Sequence, residues 1–190
     1  GYLQMMQERQ SGDRIEDYAT PIERSLQRIQ WMRSLIMDLL DFTKIRLERK
    51  EEKIEKVYLK NIASNAIVTV RPYAIQMEVA INLGLKSDAV MMADPTDMEI
   101  IFNNLVSNAV KYNKRGGKVD IVIDEDEEDV ILLFADTGIG INEKDKADLF
   151  SDFVRIKNEK TRNIGGSGLG LSIVKQVVDL YHGSITVDSV

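Results

Sequence analysis

Three short stretches of the chain carry residue types and spacings that could do chemistry. DTGIGI, residues 136–141, sets two glycines within five residues and leads with the carboxylate of Asp136. Such a turn lets backbone pass close to a flat ligand, and a carboxylate acceptor there suits an exocyclic amine. Alone, the hexapeptide fits an ordinary turn capped by Asp136 equally well. GGSGLGL, residues 165–171, runs straight into the apolar-periodic series Leu171, Val174, Val177, Val178 and Tyr181. Glycines before a helix expose free amide hydrogens and the positive end of the helix dipole, an arrangement that receives phosphates. A plain surface loop with a glycine hinge has the same composition. Finally, IIFNNLVSNAVKYN, residues 100–113, places Asn104, Asn108, Lys111 and Tyr112 at offsets 0, 4, 7 and 8, one stripe of a helix. Ile100, Ile101, Leu105, Val106, Ala109 and Val110 supply an apolar surface for a core. On an isolated helix, a stripe of this kind is more commonly a solvated face.

Composition narrows what these stretches can serve. With 190 residues and 44% hydrophobic content, the chain can bury a core the size of one ordinary domain with extra structure beside it. No run of about 18 apolar residues is present, so no membrane contact is expected of this segment. The absence of cysteine excludes disulfides and thiol nucleophiles. A net charge of -6 argues against nucleic acid as a partner. If the ligand is a polyphosphate, a divalent cation, helix N-termini and a few placed cations must offset the repulsion.

The elements that would position these residues can be read by periodicity. Ile22, Leu26, Ile29, Ile36, Leu40 and Leu47 step by alternating fours and threes, with Arg33 and Thr43 at the remaining seam positions, so residues up to about 50 form a helical stalk that asks for a partner helix. Thr20, Pro21 and Glu23 have the order of a capping box and could open that helix, which could also start nearer Asp13 and kink at the proline. Residues 1 to about 11 would be the tail of a preceding antiparallel helix. The charge run LERKEEKIEK, residues 47–56, reads as a solvated helix end or linker and sets the boundary between a unit at 1–50 and a unit at 51–190. Beyond it, a helix is predicted from Leu59 to about Tyr73, a strand in MEVAINLGL, and a helix opened by Asp94, Pro95 and Thr96. KVDIVIDE and DVILLFAD alternate as two strands of a meander. Helices follow at about Glu143–Phe150 and Leu169–Tyr181, then a strand from Ser184. Helices mixed with antiparallel-looking strands predict an α+β fold, a two-layer α/β sandwich.

In order and spacing, the chain resembles the catalytic, ATP-binding domain of sensor histidine kinases. NLVSNAVKY looks like their N box, DTGIGI their first glycine box, LFSDFVR their F box and GGSGLGL their second glycine box, over roughly residues 57–190. LIMDLLDFTKI, residues 35–45, resembles the end of the second helix of their dimerisation and phosphotransfer hairpin. The resemblance implies ATP and Mg2+ as cofactors, with Asn108 and Asn104 holding the metal through amide oxygens. It implies that Lys111 meets phosphate, that Tyr112 lies against the nucleotide, and that Asp136 accepts from the adenine amine with Gly138, Gly140 and Ile141 around the ring. Phe153 and Arg155 would close on the nucleotide, Arg155 at the γ-phosphate, while Gly166, Ser167, Gly168, Leu169 and Gly170 wrap the phosphates. The polar, cationic RIKNEKTRNI, residues 155–164, would act as a lid. Related gyrase and chaperone ATPases have a water-activating Glu where this chain has Asn104, which cannot take a proton, so hydrolysis is disfavoured against transfer to an imidazole.

One part of the family pattern is missing. The only histidine is His182, expected at a helix C-cap and not as a phosphoacceptor. EDYATPI, residues 16–22, has the shape of the family's H box with Glu16 in place of the histidine, but too few residues separate it from DLLDF for a helical hairpin. The better register takes GYLQMM as the later part of the first hairpin helix, with the H box about a dozen residues before Gly1. The chain would then be a shortened piece, a kinase core that binds Mg-ATP without phosphorylating itself. ITVDSV likewise stops one strand short of the family's usual end. The implied partners are a response-regulator receiver domain and, through the hairpin of the full-length protein, a second copy. The implied location is the cytoplasm, whatever tethers the parent protein. The alternative is a pseudokinase whose stalk serves as a protein-binding scaffold.

Overall fold

A computed structural model of the chain describes all residues except 9, 11, 13, 48–52, 157–160, 162–163 and 190. Helix α1 (Tyr2–Gln7) lies against α2 (Ala19–Leu47), which is entered through a 3-10 turn at Ile15–Tyr18. Tyr2 meets Arg24 and Arg28 while the Tyr18 hydroxyl donates to the Gly12 carbonyl at 2.6 Å, an antiparallel arrangement as expected. Thr20 does not cap α2. The helix already includes Ala19 and Thr20, because the preceding 3-10 turn feeds it directly and Pro21, in the first turn, needs no amide partner. Leu26, Ile29, Ile36 and Leu40 of the stalk are about half exposed, so the seam stands open along this helix. Thr43 and Leu47, the last two seam positions, lie outside the described side chains.

The expected boundary at residue 50 also falls outside the described residues. Past it, the charge run ends in strand β1 (Glu55–Tyr58), where a linker was predicted. Only Val57 of this strand is buried, so four residues give no readable alternation, and its order comes from pairing antiparallel with β3, a partner remote in sequence. The intervening elements are α3 (Leu59–Gln76) and β2 (Ala80–Leu85), with β3 at Val90–Ala93. Helix α4 (Pro95–Lys111) is followed by β4 (Lys118–Glu125) and β5 (Val130–Asp136), then α5 (Glu143–Lys146) and α6 (Gly170–Leu180).

A three-stranded sheet in the order β2-β4-β5 forms the second layer. The β4–β5 meander is antiparallel as predicted, pairing Val119 with Asp136. β2 instead runs parallel to β4, pairing Ala80 with Lys118, because α4 intervenes and returns the chain to the same end of the sheet. Val119, Ile121 and Ile123 of β4 are fully buried on the side that meets α4, while Asp120, Val122 and Asp124 face out. This is the two-layer α+β sandwich expected. Among the described residues, no helix is long and apolar enough to cross a membrane.

Two predicted elements are shorter than expected. α5 stops at Lys146 because it buries no residue, leaving no apolar face to hold a longer helix. Residues 183–189 form no strand, although Ile185 packs on the core and the Ile141 amide donates to the Ser189 hydroxyl at 2.8 Å. His182 adopts φ 58° just beyond α6, with its amide bonded to the Asp179 carbonyl and the Gly183 amide to the Val178 carbonyl. That pair of bonds is the Schellman termination, the helix-end role predicted for this histidine.

Candidate functional site

Helix α4 starts where its sequence says it should. The Asp94 carboxylate accepts from the Thr96 amide at 2.8 Å and Pro95 takes the first turn, where its missing N–H costs nothing. The other end of the molecule locks onto this start. The Tyr181 hydroxyl, at the close of α6, donates to Asp97 at 2.7 Å and accepts from the Asp94 amide at 2.9 Å. Burial, with help from the neighbouring Asp97 and Asp94 carboxylates, pushes its phenol well above the ordinary tyrosine range. α4 and α6 are thereby fixed side by side.

Along the polar edge of α4, Asn104, Asn108, Lys111 and Tyr112 are all half-buried. The Asn104 side-chain nitrogen donates to the Ile100 carbonyl at 2.9 Å, which turns its oxygen toward Gly170, the first residue of α6. A Cβ at Gly170 would overlap that oxygen, so glycine is what lets the two helices meet there. Two turns further on, the Lys111 ammonium sits 5.4 Å from the centre of the Tyr112 ring. A Cβ at Gly166 would come within 2.8 Å of the same ammonium. The second glycine cluster therefore lies across Lys111.

DTGIGI turns back onto the C-terminus of α4. The Gly138 amide donates to one oxygen of the exposed Asp136 carboxylate at 2.8 Å, and the Ile139 amide to the Tyr112 carbonyl at 3.1 Å. A Cβ at Gly138 would approach that carbonyl to 2.5 Å. Asp136 thus caps a local amide with one oxygen and presents the rest of its carboxylate outward. Gly140 follows at φ 71°, a left-handed conformation that glycine adopts without strain.

The F-box end completes the surround. The Arg155 guanidinium donates to the Ile164 carbonyl at 2.6 Å, and a Cβ at Gly168, φ 82°, would approach the Val154 carbonyl to 2.8 Å. Burial raises the Tyr112 phenol above its ordinary value against the opposing charge of Arg155, so these two side chains share one electrostatic environment. The Ser167 hydroxyl accepts from the Leu169 amide at 3.1 Å, and Leu169 is fully buried at the entrance to α6. Phe153 is the outlier. Its side chain is 61% exposed at φ 61°, and only its backbone borders Gly168. Most of the lid segment, residues 157–160 and 162–163, lies outside the described residues.

The structure therefore gathers Asn104, Lys111, Tyr112, Asp136, Gly138, Arg155 and the 166–170 glycines, with Asn108 on the same edge of α4. It also brings in two residues that sequence reasoning passed over. Asn113, 5% exposed, accepts from the Thr137 hydroxyl at 3.1 Å and so joins the end of α4 to DTGIGI. An Asn before the KRGG turn signals a helix stop in the sequence, but its bond to Thr137 is between remote positions and leaves no local pattern.

The family described as histidine kinase-, DNA gyrase B- and HSP90-like ATPase matches residues 93–190, from the end of β3 onward. The circadian input-output histidine kinase CikA of Synechococcus elongatus is 34% identical over 159 residues, 82% of this chain and 21% of that relative. The chain thus spans about a fifth of that protein's length. The mycobacterial sensor histidine kinase MprB superposes with a TM-score of 0.59 at 25% identity, over 69% of this chain and 82% of that one. Histidine kinase ThkA, solved in complex with response regulator protein TrrA, shares the fold with a TM-score of 0.72 at 20% identity, over 94% of this chain and 49% of that one.

Proposed function

The chain belongs to the histidine kinase-, DNA gyrase B- and HSP90-like ATPase family, as a sensor histidine kinase catalytic ATP-binding domain, and on that premise we propose that it binds Mg-ATP and delivers the γ-phosphate to a histidine outside residues 1–190, for relay to a response-regulator aspartate. The observation that carries this reading is the meeting of three features on one side of the sandwich: the polar edge of α4, the Asp136 turn and the glycine-flanked start of α6.

Each feature has work to do in a phosphoryl transfer. The Asp136 carboxylate takes the adenine amine, and the close approach of Gly138 and Gly140 leaves that ring room. Amides in the first turn of α6 have no partners within the helix and point at phosphate oxygens. Lys111 and Arg155 offset the charge that collects on the transferred group. The donor set also fits a magnesium ion. With its nitrogen held by Ile100, Asn104 offers an oxygen toward the glycine cradle, and Asn108 follows one turn along. Both are neutral, so the ion's balancing charge would come from the triphosphate, as Mg2+ commonly arranges. Held there by Asn104 and Asn108, Mg2+ would supply charge neutralisation for the phosphates in the cradle. Asn104 cannot act as a base toward water, which favours transfer over hydrolysis.

The further parts of the reading follow from the same family. Residues 1–50 act as part of a dimerising hairpin, supported by the open apolar seam of α2, and residues 51–190 as the catalytic unit. The cytoplasm is the compartment, where ATP and receiver domains meet. The backbone of His182 ends α6, and the reading assigns the phosphoacceptor to another histidine. Incubation with Mg-ATP labelled at the γ-phosphate is therefore expected to leave the protein free of acid-labile, base-stable phosphate. Stoichiometric label of that kind on this chain would overturn the assignment of the acceptor to another segment.

A further inference from the structure

Asn113 spends its whole hydrogen-bonding capacity inside the fold. Its side-chain nitrogen donates to the Ala109 and Lys118 carbonyls, each at 3.0 Å. Its oxygen accepts from the Lys114 amide at 3.0 Å and from the Thr137 hydroxyl at 3.1 Å. Two donors and two lone pairs are all that an asparagine side chain has. The four partners belong to α4, to the turn after it, to β4 and to the DTGIGI turn, so one buried side chain ties four segments together.

Thr137 carries the tie into the ligand-facing backbone. Its hydroxyl also accepts from the Lys118 amide at 2.9 Å, and its own amide donates to the Lys118 carbonyl at 3.1 Å. Both its backbone and its side chain are thus held. On either side of it stand Asp136 and Gly138, whose amide is the one that grips the Asp136 carboxylate. The space is tight enough to dictate the neighbouring residue. A Cβ at Gly117 would overlap the Asn113 oxygen and come within 2.7 Å of the Thr137 hydroxyl.

We propose that Asn113 and Thr137 are positioning residues for base recognition: their hydrogen bond fixes the peptide from Asp136 to Gly138 and so aims the Asp136 carboxylate at the purine amine. The inference rests on the nucleotide reading above. Burial gives it force, because a network in a low-dielectric setting has few alternative arrangements and transmits its geometry to whatever it holds. A carboxylate swung off line loses its preference for an amine over a carbonyl before it loses the nucleotide altogether. The affected quantity is therefore selectivity, measured as the dissociation constant of ITP, which has an oxygen where ATP has the amine, divided by that of ATP.

The experiment compares that ratio, in the presence of magnesium, for the unaltered protein, Thr137→Val, Thr137→Ser and Asp136→Asn, alongside thermal melting of each. Valine keeps the shape of threonine and removes the hydroxyl, and it is expected to lower the ITP/ATP ratio roughly tenfold, about 1.4 kcal/mol. Serine, which retains the hydroxyl, is expected to restore the ratio. If Thr137→Val melts lower yet keeps the unaltered ratio while Asp136→Asn changes it, Asn113 and Thr137 are mere structural ties and the inference is overturned. If Asp136→Asn itself leaves the ratio unchanged, the nucleotide reading fails instead.

Discussion

Replacing Asp136 by asparagine is expected to weaken ATP binding roughly 10- to 100-fold while leaving the fold intact. A hydrogen bond to a charged acceptor contributes about 1.5–3 kcal/mol, and each 1.4 kcal/mol is a factor of ten in affinity. Asp136 is exposed at the end of β5, so no buried charge or cavity is created by the change. The Gly138 amide that the carboxylate now accepts can bond to the asparagine oxygen instead, and the turn survives. Asparagine can also donate through its nitrogen, so ITP should gain where ATP loses. Equal weakening of both nucleotides would place the carboxylate away from the base. Competition of each nucleotide against a fluorescent ATP analogue measures the two effects together.

A second substitution is expected to act on stability first and on binding through it. Phe102 is fully buried on α4 and meets Phe134 of β5 edge to face, with ring centres 5.4 Å apart and planes at 68°. This contact presses the helix bearing Asn104, Asn108 and Lys111 onto the strand that ends in Asp136. Phe102→Ala removes the ring and leaves a cavity, at a cost of about 3–5 kcal/mol. Against a typical domain stability of about 5–15 kcal/mol, such a loss shifts the urea midpoint far down and leaves some molecules unfolded at rest. Loss of nucleotide binding in this variant should track the folded fraction. Recovery of affinity at low temperature or in a stabilising osmolyte would show the same ligand site waiting in the refolded molecules.

How much of this was readable from the sequence follows from the range of each interaction. The start of α4 was legible because Asp94, Pro95 and Thr96 carry their own local physics, a cap that bonds two residues ahead and a proline where no amide is needed. The meander was legible because two apolar-rich strand segments flank a short acidic turn. The Asn stripe and the glycine cluster before α6 were likewise visible, each within one element. What escaped depends on partners remote in sequence. β1 is half charged and acquires strand order only from β3, about 35 residues later. The parallel pairing of β2 with β4 is decided by the helix between them, which strand periodicity does not reveal. The bond from Asn113 to Thr137 spans 24 residues and joins two side chains that look like ordinary turn formers. Thr20 misled for a related reason, since a good cap sequence yields when a preceding 3-10 turn already supplies the helix start.

Isothermal titration calorimetry of the unaltered protein with ATP, in the presence and absence of magnesium, tests the central claim most directly. A single saturable site is expected, filled well below about 1 mM nucleotide, with affinity that rises when magnesium is added and falls in Asp136→Asn. No heat from adenine nucleotides at that concentration with magnesium present, from protein shown to be folded, would contradict the account.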